Sequence, residues 1–327
     1  MQPIEVVILR DIEAAIKAKG YDAKQPQGLF APLDYILSLG GKRIRPLLCC
    51  LAARAISGDY TTAIPIALGL EIFHNFTLLH DDLMDRSPLR RGQATVHSRW
   101  GDNTAILSGD VMCIEAYKAF EDIDSPSLLK EILPIFNTMA VEICRGQQYD
   151  MEFETRSNVT VAEYLEMIRL KTAVLLGASL RLGALASGAK PSTASELDRV
   201  GQSLGLAFQI QDDYLDVYGD KKTFGKPIGG DIINAKKTLL LIYTQSTLIE
   251  QDRTELERLM SLPINQSDER IEGVRQLYNK CGAGTYAKEE VHRLTQEALQ
   301  TLTNLKLNEE RIAPLIALFE GLSARMN

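Results

Sequence analysis

Two stretches of the chain, Asp81-Asp82-Leu83-Met84-Asp85 and Asp212-Asp213-Tyr214-Leu215-Asp216, repeat one pattern of carboxylates, DDxxD, each at the end of an apolar segment. In an α-helix, residues four apart are turned by about 40° and separated by about 6 Å along the axis, so Asp81 and Asp85 share a face, as do Asp212 and Asp216. Asp82 and Asp213 stand beside them. Like charges at that spacing repel, and a helix C-terminus already carries negative partial charge, so each cluster calls for a cation. Hard divalent ions meet that need. Magnesium is typically held by one or two carboxylates and completes its shell with water and substrate phosphate. One such run is as readily a solvated helix end; two matched runs point to a diphosphate bridged by metal.

Cations supply the other half of the pattern. Gly40-Gly41-Lys42-Arg43-Ile44-Arg45-Pro46 sets three beside a glycine turn, and Arg90-Arg91-Gly92 follows the first aspartate cluster closely. Lys171-Thr172 interrupts an apolar stretch, where a charge needs a partner or a polar cavity. Further on come Phe224-Gly225-Lys226-Pro227-Ile228-Gly229-Gly230-Asp231 and Lys236-Lys237-Thr238. Lysine and arginine contact phosphate directly, whereas carboxylates need a metal between, so the mixture implies two anion sites and a two-substrate reaction.

Several classes of chemistry are excluded. The chain has no GxxxxGK[ST] loop and no strand-preceded GxGxxG, which disfavours nucleotide binding, and its four histidines, His74, His80, His97 and His292, lack the HExxH spacing of zinc proteases. The formal net charge of −7 argues against a nucleic-acid partner. Cys49, Cys50, Cys113, Cys144 and Cys281 form no CxxC pair and lie mostly in apolar segments, as reduced thiols of a cytoplasmic protein would. The N-terminus shows no signal core, and the apolar stretch from Thr172 to Ala189 is broken by Arg181, so neither secretion nor a transmembrane segment is expected.

The elements that must position these residues read almost throughout with helical period, so the expected fold class is all-α. Ile4, Val7, Ile8, Ile12 and Ile16 give a first helix one buried face, ending near Gly20. Helices are then expected over Leu33 to Leu39, from about Pro46 to Ser57, and over Thr62 to Met84, Asn103 to Glu121, Pro126 to Asp150, Val161 to Ser187 and Ala194 to Tyr218. After a Gly/Lys-rich connection from Gly219 to Gly230, they cover Lys236 to Leu262, Ser267 to Cys281 and Thr285 to Leu305. No linker, low-complexity tract or solenoid repeat divides the chain, so a single domain over 1–327 is the economical organisation.

Taken together, GGKRIRP, LLHDDLMD followed by RRG, the KT pair, QIQDDYLD, and GKPIGGD with a lysine ten residues after its first resemble the trans-isoprenyl diphosphate synthases, or polyprenyl synthetases. The resemblance covers nearly the whole chain. It implies a bundle of about ten or more helices around a deep cavity, usually a homodimer, and magnesium-dependent joining of isopentenyl diphosphate to an allylic diphosphate. By the same resemblance, Asp81, Asp82 and Asp85 form the first metal site and Asp212, Asp213 and Asp216 the second, together holding three Mg2+. Lys42, Arg45, His74 and Arg91 match the isopentenyl diphosphate site. Arg90, Lys171, Thr172, Gln209, Lys226 and Lys236 match the allylic diphosphate site. Asp81, Asp85, Arg90, Lys171, Asp212 and Lys226 are the expected catalytic set. No protein nucleophile is implied; released pyrophosphate takes the proton.

Product length should be set one or two turns before Asp81. Phe73, Thr77 and Asp81 lie on one i, i+4 stripe with Phe76 on its flank, although Phe73 and Phe76 are equally at home as core packing. In the family, aromatics at the fifth and fourth positions before the first aspartate go with C15 products. Here those positions are Phe76 and Thr77, which resembles the archaeal-type C20 synthases, so geranylgeranyl diphosphate is expected first and farnesyl diphosphate next. The alternatives are a class I terpene cyclase, whose second metal motif is usually an Asn/Ser/Glu pattern, and a non-catalytic subunit of a heteromeric synthase, which would be expected to have lost a cluster.

Overall fold

The computed structural model describes residues 2–219 and 228–323. The all-α expectation holds: among the described residues, the sole sheet is a two-stranded hairpin, Leu89–Arg90 with Gln93–Ala94. The chain forms two compact units interleaved in sequence, Met1–Phe136 with Ala178–Asp198 and Leu305–Leu315, and Asn137–Gly177 with Arg199–Asn304 and Ile316–Asn327.

The first unit contains α1 (Ile4–Ala18), α2 (Gln27–Ser38), α3 (Ile44–Ser57), α4 (Ile64–Met84), the hairpin, α5 (Val96–Trp100) and α6 (Asp102–Lys118). Helix α4, which carries the first aspartate cluster, is its core. It packs on α3 and α6, and Ile66, Leu70, Ile72 and Phe73 are buried. Each such side chain contributes about 1.5–3 kcal/mol by leaving water. Gly69 makes the close packing possible, because a Cβ there would lie 2.6 Å from the Phe120 ring and 2.9 Å from the Ala116 carbonyl. Thr61–Met84 is apolar and long enough to cross a membrane, the one such helix among the described residues, and 61% of its apolar window is buried within the protein.

The second unit contains the later part of α7 (Pro126–Thr155), α8 (Val161–Ile168), the start of α9 (Val174–Ala186) and most of α10 (Pro191–Tyr218), followed by helices Leu239–Thr247, Glu250–Met260, Ser267–Cys281 and Ala283–Asn304. Its core gathers Tyr164, Ile168, Ile210, Leu240, Val274 and Tyr278.

Several elements differ from expectation, among them the short helix Val96–Trp100, which falls between two expected helices. Helix α2 begins at Gln27 and runs through Pro32, since burial of Leu33, Ile36 and Leu37 outweighs the missing backbone donor. The hairpin lies in a stretch for which no element was expected: Arg91 and Gly92 both take positive φ, the combination of a type I′ turn. The expected helix over Lys236 to Leu262 is two, parted at Leu248, which adopts extended backbone. Finally, the run from Val161 is interrupted by a π-helical turn, Arg169–Ala173, which contains Lys171 and Thr172.

Candidate active site

The first aspartate cluster occupies the last turn of α4. Asp85 is the C-cap residue and its amide donates to the Asp81 carbonyl. Asp81 is half-buried and Asp85 exposed, whereas Asp82 is only 3% exposed and points into the protein. Both Asp82 oxygens accept from Arg90, Oδ2 from Nε at 2.7 Å and Oδ1 from Nη2 at 2.8 Å. The same guanidinium lies 3.9 Å from Asp81 Oδ2. The hairpin holds Arg90 in place, and the Tyr35 hydroxyl braces the hairpin by donating to the Ala94 carbonyl at 2.7 Å.

Arg91 sits at the hairpin turn. Its guanidinium approaches Gly41 so closely that a Cβ there would be 2.7 Å from Nη2, and Gly41 has φ +136°. Only glycine fits that approach without strain. Arg43 of the same stretch is consumed structurally. It is 4% exposed, and donates to Glu13 at 2.7 Å, to Glu71 at 2.7 Å and to the Leu37 carbonyl at 2.6 Å. Lys42 is exposed. Arg45 has a buried Nε with no hydrogen-bond partner. Burial pushes its pKa down to about 10; Glu71 opposes the shift and Arg91 adds to it. Burial and the charges of Arg45, Arg91, Arg90 and Arg43 hold His74 well below the ordinary histidine range, so its ring is neutral near pH 7. Arg45, His74 and Arg91 are therefore gathered in one strongly positive environment beside the Gly40-Gly41 turn.

Of the residues expected to set product length, Phe73 is 1% exposed and packs on Phe136 at 5.2 Å between ring centroids. Phe76 is half-buried between Phe73 and His80, at 5.4 and 4.9 Å. Thr77 is half-buried and its hydroxyl donates to the His74 carbonyl at 2.8 Å.

The second cluster lies in the last two turns of α10. Asp212 is half-buried, and Asp216 Oδ2 accepts from the Asp231 amide at 2.9 Å. Asp213 faces inward. Its Oδ2 accepts from the Tyr164 hydroxyl at 2.7 Å and its Oδ1 from Gln209 Nε2 at 2.9 Å, while Gln209 Oε1 accepts from Thr172 at 3.1 Å. Burial raises Asp213 to about 7; the Tyr164 and Gln209 bonds oppose that rise, and Asp212 and Asp216 add to it. Lys171 donates to Asp150 Oδ2 at 2.7 Å. Lys236 lies 3.7 Å from the same oxygen and donates to Glu154 at 2.9 Å. Lys226 falls outside the described residues.

Glycines bring these groups together. A Cβ on Gly146 of α7 would lie 2.3 Å from the Lys171 amide, and one on Gly205 of α10 would lie 2.5 Å from Ala173 Cα. Gly146 and Asp150 are one turn apart, and Gly201, Gly205, Gln209 and Asp213 continue a single i, i+4 stripe. The π-turn thus docks against backbone on both sides, with Lys171 directed to α7 and Thr172 to α10. The sequence reading overlooked Glu71, Asp150, Tyr164 and this glycine stripe. Only the glycine spacing carried a signal; buried Glu71 and Tyr164 look in sequence like any helical residues.

Among the described residues, no three His, Cys, Asp or Glu side chains form a group able to hold an ion alone. The donor set still fits magnesium, which asks for few protein oxygens and takes the rest from water and phosphate. Carboxylates one turn apart, half-buried at Asp81 and exposed at Asp85, suit a hydrated ion of this kind.

Carboxylates fit for hard cations, and arginine and lysine groups fit for phosphate, on a helical frame define a class: helical enzymes that act on diphosphates. The sequence pattern of the polyprenyl synthetase family matches residues 26–280, and the chain belongs to that family. It is 39% identical over 262 residues to a short chain isoprenyl diphosphate synthase of Methanothermobacter thermautotrophicus, covering 80% of each chain. Identity to a geranylfarnesyl diphosphate synthase of Aeropyrum pernix is 38% over 286 residues, 86% of this chain and 88% of that one. A crystal structure of a geranylgeranyl pyrophosphate synthase matches with TM-score 0.94 at 40% identity, over 99% of both chains. The all-α fold and the prenyltransferase class expected from the sequence are both found.

Proposed function

We propose that this short-chain isoprenyl diphosphate synthase adds isopentenyl diphosphate head-to-tail to dimethylallyl, geranyl and farnesyl diphosphates, with geranylgeranyl diphosphate as its main product. The observation that carries the reading is Arg45: a half-buried arginine whose buried Nε has no hydrogen-bond partner, with Arg91 beside it as well as Glu71, is suited to receive an anion. Arg45, neutral His74, Arg91 and Lys42 would bind the isopentenyl diphosphate. Arg90, Lys171, Thr172, Gln209, Lys226 and Lys236 would hold the allylic diphosphate.

Asp81, Asp85, Asp212 and Asp216 would hold Mg2+, three ions per site as in the family, with Asp82 and Asp213 fixing their neighbours through Arg90, Tyr164 and Gln209. Bound magnesium supplies Lewis acidity at the departing diphosphate. Lys171 and Lys236 place positive charge where negative charge grows as the allylic C–O bond breaks, and such preorganised charge favours the transition state over the ground state. The isopentenyl double bond then attacks the allylic carbocation, and pyrophosphate takes the proton, so no protein base is required.

The C20 assignment is supported by Thr77 in place of an aromatic, with half-buried Phe76 beside it, and by relatives named for geranylgeranyl and geranylfarnesyl products. Homodimerisation is supported by an exposed apolar stripe on α6, Ile106, Leu107 and Ile114. One working domain over 1–327 and a cytoplasmic setting complete the proposal. Mass spectrometry of products from isopentenyl diphosphate with each allylic starter and magnesium tests it. Mainly C20 product is expected; mainly C15 would make Phe73 and Phe76 the effective floor, and no product from any starter would favour a subunit that needs a partner.

A further inference from the structure

Asp150 was not among the residues the sequence singled out, yet two lysines proposed to hold the allylic diphosphate converge on one of its oxygens. Lys171 Nζ stands 2.7 Å and Lys236 Nζ 3.7 Å from Oδ2. The carboxylate side chain is 16% exposed, and Glu154 receives Lys236 from its other side at 2.9 Å. Burial alone would raise the Asp150 pKa, but Lys171 and Lys236 outweigh it and hold the carboxyl below its usual range, so the group is an anion.

We infer that Asp150 is a positioning residue that gathers Lys171 and Lys236 into one diphosphate-binding pair; the inference rests on the allylic assignment proposed above. Two ammonium groups on flexible four-carbon stems repel each other and lose rotamer entropy when fixed. A shared carboxylate oxygen meets both costs before substrate arrives. It does not use the lysines up, because each ammonium carries three donors and the bond to Asp150 or Glu154 takes one of them. The backbone fixes the geometry further. Gly146, one turn before Asp150, lets the π-turn carrying Lys171 lie directly against α7, so the length of the Lys171 stem meets Asp150 and not an intervening side chain.

The opposite expectation is equally concrete. If Asp150 merely adds negative charge near a polyanion site, its removal strengthens substrate binding. The experiment compares wild type, Asp150→Asn, Lys171→Met and the double variant, measuring KM for geranyl diphosphate, KM for isopentenyl diphosphate and kcat. Pyrophosphate affinity in the presence of magnesium is measured in parallel by calorimetry. Asp150→Asn should raise KM for the allylic substrate and the pyrophosphate Kd at least about fivefold, leave the isopentenyl diphosphate KM within twofold, and add less than that full effect once Lys171 is gone, since only the hold on Lys236 then remains to be lost. A lower allylic KM or tighter pyrophosphate binding, an unchanged value, or a full additional loss in the Lys171→Met background would overturn the inference. Wild-type protein that binds pyrophosphate yet turns over no allylic starter would overturn the functional assignment instead, while the calorimetric comparison still decides the role of Asp150.

Discussion

Asp82 and Arg90 form a two-pronged pair, 2.7 and 2.8 Å, in which both oxygens of the middle carboxylate of the first cluster are committed to one guanidinium. The cluster is thus divided in labour. Asp85 is exposed and Asp81 half-buried, whereas both oxygens of Asp82 are turned to an arginine.

Asp82→Asn should therefore lower kcat by about 10- to 100-fold, the value of one charge-assisted bidentate contact, with the fold retained. Asp81→Ala should cost more, about 1,000-fold, through lost metal binding. Steady-state turnover across a magnesium titration separates them: excess metal should partly restore an Asp81 variant and leave Asp82→Asn unchanged. Equal losses with equal metal rescue would make Asp82 a ligand.

The Arg43–Glu71 ion pair, 2.7 Å with each side chain 2% exposed, is structural. Glu71→Ala removes the buried one of the two carboxylates paired with Arg43, leaving only the half-exposed Glu13, and should destabilise the fold by about 3–5 kcal/mol in urea unfolding. A loss under about 1 kcal/mol would show that Glu13 alone satisfies Arg43.

His74 gives stability a pH dependence with a definite sign. Its folded pKa is depressed well below 6.5, so below that value the unfolded chain binds a proton that the native state does not, and stability falls as pH falls. The slope reaches about 1.4 kcal/mol per pH unit at most. Subtracting the profile of His74→Gln from that of wild type between pH 7.5 and 5.5 isolates the effect; identical slopes would mean His74 titrates normally.

Product length should respond to Phe76 and Thr77 in opposite directions. Phe76→Ala should lengthen the product by one or more C5 units and Thr77→Phe should shorten it toward C15, read by mass spectrometry. Phe73→Ala is a poorer probe, because removing so fully buried a ring costs about 3–5 kcal/mol. An unchanged product distribution in both variants would move the floor elsewhere.

Much of this was legible in the sequence because it depends on spacing. The two DDxxD clusters, the cation groups and the helical periods needed only the i, i+4 geometry of a helix. What escaped depends on tertiary contact. Arg43 and Arg45 are chemically alike and two residues apart, yet one is sealed against Glu71 and the other lacks a partner for Nε. Asp82 and Asp213 are indistinguishable from their neighbours until Arg90 and Tyr164 are seen to face them. The break at Leu248 carried no glycine or proline to announce it.

The π-turn at Arg169–Ala173 has a consequence for how this segment can vary. Each residue of an α-helix advances the chain by about 100°, so deleting one residue from this turn would act as a rotation more than a shortening. Lys171 and Thr172 would swing off the headings toward Asp150 and Gln209 that their side chains now hold, though every amino acid named in the site would still be present. Substitution alone leaves those bearings intact; a lost or gained codon resets the dial.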